Sequence, residues 1–237
     1  KVIPGKKIIT GPAYLVMEDV PIYPLCIPEG FFPVSSGAKS GLLMPTYGED
    51  GARGFFLRGL GYYFIINKHM DLALTGGFYT LGSWEVNASS RYVKRYKYSG
   101  NVNFDFSSIK TGDKGEPDYI KQNNFKFTWT HSQDPKANPG STFSASVNLS
   151  TSGYSKYSAN TLNDILATQT NSSISYSKSW AGTPFSFSIN MGISQNSQTR
   201  AISVNFPNMV FNVARVYPFK RKEAVGKQRW YEKISFT

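Results

Sequence analysis

From about residue 84 onward the chain alternates apolar residues with Ser, Asn, Thr or Lys at a period of two, which is the strand period and not the helical one. Across residues 185–194 one face carries Phe185, Phe187, Ile189, Met191 and Ile193, while the other is wholly small and polar. Phe143, Ala145, Val147 and Leu149 stand in the same way against Ser144, Ser146, Asn148 and Ser150. The pattern recurs at Val102, Phe104 and Phe106, at Phe125, Phe127 and Trp129, and at Ile202, Val204 and Phe206. Turn-forming clusters rich in Gly, Pro or Asn fall at residues 67–71, 98–100, 134–140, 181–184 and 196–198. The rhythm predicts about ten antiparallel strands after residue 40, joined as consecutive hairpins and each roughly 9 to 14 residues long, the length of a tilted membrane-spanning strand. Two connections are longer, residues 110–120 and 155–171, and within the second residues 161–167 predict one or two helical turns. Short turns alternating with long loops suit a barrel with one short-turn end and one long-loop end.

Alternation alone fits two all-β folds. In a soluble sandwich the apolar rows turn inward to a core, and in a membrane barrel they meet lipid while the polar rows line a wet lumen. Strand length, the Ser/Asn-rich polar face, hairpin connectivity and aromatics near strand ends (Tyr62, Tyr63, Trp84, Tyr92, Trp129, Tyr154, Tyr176, Trp180) favour the barrel. The N-terminal stretch differs: short extended pieces are broken by Pro and Gly, with Pro21, Pro24, Pro28 and Pro33 at close intervals. Each Pro lacks the N–H that a neighbouring strand needs, so the stretch reads as an edge or linker. The boundary is placed near residue 35, giving regions 1–34 and 35–237.

Composition narrows the class. Of 237 residues, 26 are Lys or Arg and 15 Asp or Glu, a formal charge of +11, yet only 17% are charged and 15% are aromatic, which is not the profile of a disordered basic tail. No apolar run approaches the roughly 18 to 20 residues of a spanning helix, which excludes a helical membrane protein. The single cysteine, Cys26, forms no internal disulfide, and its role is not legible. The chain begins at Lys1 without an initiator Met or apolar leader, so it is expected to be a processed or excised piece.

Catalysis has little to stand on: His69 falls in a turn and His131 at a strand end, the carboxylates lie mostly in loops, and no nucleophile or metal-ligand spacing occurs. Neither enzyme nor metal nor cofactor is expected. The basic residues follow no nucleic-acid-binding motif. Lys94, Arg95 and Lys97 near one turn, and Lys220, Arg221 and Lys222 near another, read either as solvated turn residues or as partners of lipid phosphates.

Several segments together resemble the LptD family of lipopolysaccharide-assembly outer-membrane proteins (OstA-like): Val20-Pro21-Ile22-Tyr23-Pro24-Leu25, then Ser40-Gly41-Leu42-Leu43-Met44-Pro45, then Gly54-Phe55-Phe56-Leu57, then Gly61-Tyr62-Tyr63 running on to Asp71. Arg91-Tyr92 sits where that family has an Arg-Tyr strand. The motifs cover roughly residues 8 to 95, and beyond them only strand rhythm agrees. The resemblance implies the end of a periplasmic jelly-roll followed by the N-terminal strands of a barrel of about 26 strands, which this chain cannot close alone. It implies insertion of lipopolysaccharide into the outer leaflet through a lateral gate, with an LptE-like plug lipoprotein and periplasmic Lpt bridge proteins as partners, in the cell outer membrane. A passive porin-type channel and a soluble carbohydrate-binding sandwich remain open.

Within that resemblance Pro45 and Gly61 are the gate candidates. Pro45 falls inside the first barrel strand and removes one ladder hydrogen bond. Gly61 stands where the family usually has Pro; it keeps its N–H but removes a side chain. Ile8, Tyr14 and Val16 are the candidates for an open groove that takes acyl chains, or for ordinary packing between two sheets. Cys26 matches no disulfide position of the family.

Overall fold

The computed structural model describes residues 2–3, 7–11, 13–17, 20–27, 30–33, 39–112, 114–117, 119–158, 165–166, 168–217, 219 and 230–235. The chain divides into two compact units, residues 1–39 and 40–237.

The first unit holds β1 (Val2–Ile3), β2 (Lys7–Thr10), β3 (Ala13–Met17), β4 (Val20–Ile27) and β5 (Gly30–Pro33). Strands β1, β2 and β5 form one small antiparallel sheet, and β3 and β4 another. Here the sequence expectation of no regular ladder is corrected, because Pro21 pairs with Val16 inside β4. A two-stranded sheet leaves one side of each strand free of partners, so a missing N–H is tolerated there. The ladder slips between Tyr14 and Leu15, whose partners are Cys26 and Ile22, so Tyr23, Pro24 and Leu25 lie in the slip.

The second unit is one open antiparallel sheet of eleven strands: β6 (Gly41–Leu43), β7 (Thr46–Asp50), β8 (Gly54–Asn67), β9 (Met70–Tyr79), β10 (Trp84–Lys94), β11 (Tyr98–Thr111), β12 (Ile120–Gln133), β13 (Ser141–Ser150), β14 (Gln169–Ser179), β15 (Phe185–Asn196) and β16 (Ile202–Val213). From β8 to β16 every strand pairs with its sequence neighbour. Both β6 and β7 pair with β8, so they are one edge strand in two pieces, and the count agrees with the ten strand positions expected. Strands β8 to β16 are 10 to 14 residues long. One end of the sheet has turns at 68–69, 95–97, 134–140 and 180–184; the other carries the connections 112–119 and 151–168.

The two faces settle the orientation that alternation left open. Among the described residues only Tyr79, Ile109, Ala145 and Tyr154 are buried hydrophobics, whereas Ser83, Glu85, Ser90, Ser107, Asn124 and Ser172 are among the buried polar ones. Phe78 is 62% exposed and Phe206 88% exposed, and Tyr62, Phe64, Phe104, Phe125, Phe185 and Phe211 stand exposed on the same face. Within the second unit all the described strands belong to the one sheet, so no further sheet of that unit covers these rows. A water-soluble sandwich requires the reverse arrangement, while a barrel wall in lipid requires this one.

The polar face is knitted across strands. Ser89 Oγ donates to Asn103 Oδ1 at 2.7 Å, Asn103 Nδ2 donates to Thr128 Oγ1 at 3.1 Å, and Thr130 bonds Asn101. The described start of the following connection, residues 151–158, folds back onto this face. Its helix α1 (Tyr154–Tyr157) buries Tyr154, and Ser158 Oγ accepts from Ser107 Oγ at 2.7 Å and from Asn124 Nδ2 at 2.9 Å. Of the helical turns expected at 161–167 only residues 165–166 are described, and these are helical; a separate helix, not expected, begins at Tyr154. The turn expected at 98–100 is corrected to 95–97, with residues 98–100 already inside β11.

Candidate functional site

The first unit contributes three candidates. Ile8 lies in β2, and Tyr14 and Val16 lie in β3, so they belong to different small sheets. Val16 is 44% exposed. Cys26 lies in β4, opposite Tyr14.

At the sheet edge, Leu43 pairs with Gly61 and Thr46 with Arg58. The residues between them, Met44 and Pro45, therefore fall opposite Leu60 and Gly59, and neither belongs to a strand. Pro45 breaks the edge strand because it has no N–H to give. The break is matched in β8, whose register with β9 shifts between Arg58 and Leu60. Gly59 at that shift has φ +77°, the left-handed region, and open space where a Cβ would project. This is a β-bulge built on glycine. Both strands thus lose their regular pairing at one level, and sequence reasoning missed the second half of it. The available signal was a glycine two positions before Gly61, which becomes meaningful only once register places it opposite Pro45.

Gly61 has a different reason to be glycine. A Cβ there would run into the Leu74 carbonyl oxygen and approach the Thr75 Cα at 2.7 Å. So Gly61 is a close-approach glycine of β8 against β9, on the ladder and not at the break. The structure brings Pro45 together with Gly59, one turn of the pleat away from Gly61.

Next to the break the polar face carries charge. Arg58 Nε lies 3.0 Å from Glu85 Oε1, and Tyr79 Oη donates to Glu85 Oε2 at 3.3 Å. Arg53 pairs with Asp50 at 2.7 Å, and its guanidinium stacks 4.4 Å over the Tyr79 ring. This cluster rigidifies the strands behind the edge, while the edge itself is held by only three pairs in β6 and five in β7. Among the described residues no group of three His, Cys, Asp or Glu has metal-binding placement. His69 lies in the turn 68–69, its N–H bonded to Asn67 Oδ1 at 2.8 Å, and His131 lies within β12 among aromatic rings. Of the basic clusters, Lys94, Arg95 and Lys97 surround the turn 95–97, whereas Lys220, Arg221 and Lys222 lie outside the described residues.

Comparison with known proteins adds the lineage. The profile of a family described as "LptD protein" matches residues 8–237. The chain is similar to the LPS-assembly protein LptD of Bordetella pertussis, 38% identical over 79 residues, which is 33% of this chain and 10% of that protein. It is also similar to the LPS-assembly protein LptD of Burkholderia ambifaria, 31% identical over 122 residues, covering 51% of this chain and 14% of that protein. The aligned part is thus a small fraction of those curated relatives' length. With the family match running over nearly all its residues, and with apolar rows outward on a sheet whose other face is polar, the chain belongs to the LptD protein family of the outer membrane.

Proposed function

We propose that this chain takes part in assembling lipopolysaccharide at the outer membrane, and that its edge strand is one lip of a lateral gate through which the glycolipid leaves the barrel. The observation that carries the reading is the paired break at Pro45 and Gly59 on the sheet's N-terminal edge. Acyl chains and a sugar-rich phosphorylated head cannot cross a closed wall without a seam, and a seam needs weak strand pairing. Each missing ladder bond costs only about 1 kcal/mol, but two strands weakened at one level let the edge part from a closing strand with little opposition. Gly61 supports the gate by holding β8 close to β9, so that the opening stays confined to the edge. The sugar-bearing head would travel along the Ser/Asn-lined face and the acyl chains along the apolar one.

In the same reading residues 1–34 end a periplasmic jelly-roll, and Ile8, Tyr14 and Val16 offer apolar contact to acyl chains, each buried CH₂ being worth about 0.8 kcal/mol. The partners are lipopolysaccharide, an LptE-like plug lipoprotein and periplasmic Lpt bridge proteins. The test is an engineered disulfide in the full-length protein between the first strand near Pro45 and the closing strand. Surface lipopolysaccharide is expected to fall when the bond forms and to recover on reduction. Undiminished delivery with the bond intact would overturn the gate.

A further inference from the structure

At the short-turn end the apolar face carries a connected aromatic cluster. Trp129 Nε1 donates to Tyr92 Oη at 2.9 Å, and the same oxygen lies 2.8 Å from His131 Nδ1. His131 stacks on Tyr98 with ring centres 5.9 Å apart and meets Phe143 at 5.2 Å. Gly100 makes this possible, because a Cβ there would overlap the end of the Tyr92 ring. Four strands, β10 to β13, therefore present one interlocked platform of rings near the short-turn end of the sheet.

The turn 95–97 bounds an open cleft of about 370 Å³ that shares Tyr98 with the platform and is lined by Lys94, Arg95, Lys97, Gln133 and Asp134, with Val93, Ser99 and Ser132 of the opposite face along its other side. Three cations and one carboxylate line it; Arg95 lies 5.9 Å over the Tyr96 ring, and among the described residues none of the three cations makes an ion pair. Asp134 is engaged in its own turn, accepting from the Lys136 N–H at 2.8 Å. The turn is held in place by Lys97 N–H bonding Lys94 O and by Asp134 N–H bonding Lys97 O, both at 2.9 Å. Tyr96 at its tip has φ 60°, a left-handed conformation that is strained for a ring-bearing residue, and it stands 63% exposed.

We propose that this cleft and platform form a headgroup site for an anionic phospholipid of the leaflet on the short-turn side. The phosphate sits among Lys94, Arg95 and Lys97, and the acyl chains run down over Tyr98, His131 and Phe143. Charge complementarity selects the occupant: clustered Lys and Arg beside a membrane-facing aromatic layer match a phosphate at the hydrocarbon boundary. The inference needs only the outward orientation of the apolar face, so it stands or falls separately from the gate.

The test reconstitutes the full-length protein in phosphatidylcholine nanodiscs with and without cardiolipin, and counts lipids retained after detergent extraction by native mass spectrometry. Retention of cardiolipin over phosphatidylcholine is expected, weakened on the order of a hundredfold by K94Q/R95Q/K97Q. Each single substitution is expected to weaken it by roughly fivefold, so the answer does not depend on the triple variant folding. Lys68→Gln, at another turn of the same end, is expected to leave retention unchanged. Equal retention of both lipids, unaltered retention in the lysine and arginine variants, or an equal loss in Lys68→Gln would each overturn the site.

Discussion

Arg58 and Glu85 form their 3.0 Å ion pair across β9, a strand to which neither belongs, and Gly77 of that strand lies between them. A Cβ on Gly77 would come within 2.8 Å of the Glu85 side chain, so the missing side chain is what lets the two charges meet. Glu85 is 5% exposed, while the Arg58 side chain keeps 27% of its surface in contact with solvent.

Removing one partner leaves the other charge buried and uncompensated. Arg58→Met is expected to destabilise the folded sheet by about 1–3 kcal/mol, a figure reduced from that of a fully buried pair because the arginine is part-solvated. Glu85→Gln keeps one carbonyl acceptor for Arg58 Nε and turns an NH₂ donor toward the Tyr79 hydroxyl oxygen, and is expected to cost less. The temperature at which the folded, faster-migrating band disappears on a gel measures both, and equal stability of Arg58→Met and wild type would show that the pair contributes nothing.

The two glycines of β8 respond differently to a methyl group. Gly59→Ala places a Cβ in open space but forces an L-residue into φ +77°, at a cost of about 1–2 kcal/mol, and Gly59→Asn should be milder because Asn visits that region more readily. Gly61→Ala meets backbone atoms of Leu74 and Thr75, which cannot swing aside as a side chain can, so β8 must separate from β9. Assembly of the folded band is expected to fail for Gly61→Ala and to survive for Gly59→Asn. If Gly61→Ala assembled normally, the close approach of these strands would not be a constraint.

Pro45→Ala returns an N–H to the edge strand. The edge is expected to gain about 1 kcal/mol, seen as slower amide exchange across residues 41–50, together with reduced lipopolysaccharide delivery if the weak edge serves release. Faster exchange at this edge after the substitution would contradict the account of the break.

Strand positions were legible because the apolar period is strict and the turns carry Gly, Pro or Asn. The ten consecutive strand positions follow from those two signals, whereas the splitting of the first one into β6 and β7 around Pro45 does not. The turn at 95–97 was misplaced because Gly100 resembles a turn glycine, whereas it is a strand glycine that makes room for Tyr92, a partner eight residues away and across the hairpin. Gly59 went unnoticed for a similar reason: a glycine's role depends on what register sets against it, and register is a property of the pair. The Tyr92 hub was invisible too, since Tyr92, Trp129 and His131 lie 37 and 39 positions apart in sequence and meet only when β10, β11 and β12 pair.

Tyr92→Phe isolates that hub. The ring stays and the hydroxyl goes, leaving Trp129 Nε1 without its acceptor in a membrane-facing setting where water offers little substitute. A loss of about 1–3 kcal/mol is expected, together with a shift in Trp129 fluorescence. Unchanged thermal stability would mean that the hydrogen bonds around Tyr92 are decorative and that its ring alone matters.

The neighbours Ser146 and Val147 test which face meets lipid. Ser146 pairs with Thr130 and Ser173 on the polar face, and Val147 pairs with Trp129 on the apolar one, both near the middle of β13. An arginine at a lipid-facing midplane position of a barrel costs about 2–4 kcal/mol, whereas one facing a wet lumen keeps its hydration. Val147→Arg is therefore expected to lower the yield of assembled barrel severely and Ser146→Arg to leave it near normal, although the two side chains differ by a single residue along the chain. Because a shift of one residue exchanges the faces, no gradual effect of position or size can mimic this contrast. The opposite ranking, with Ser146→Arg the damaging change, would place the phenylalanine rows in a protein core and remove the basis for both the gate and the lipid site.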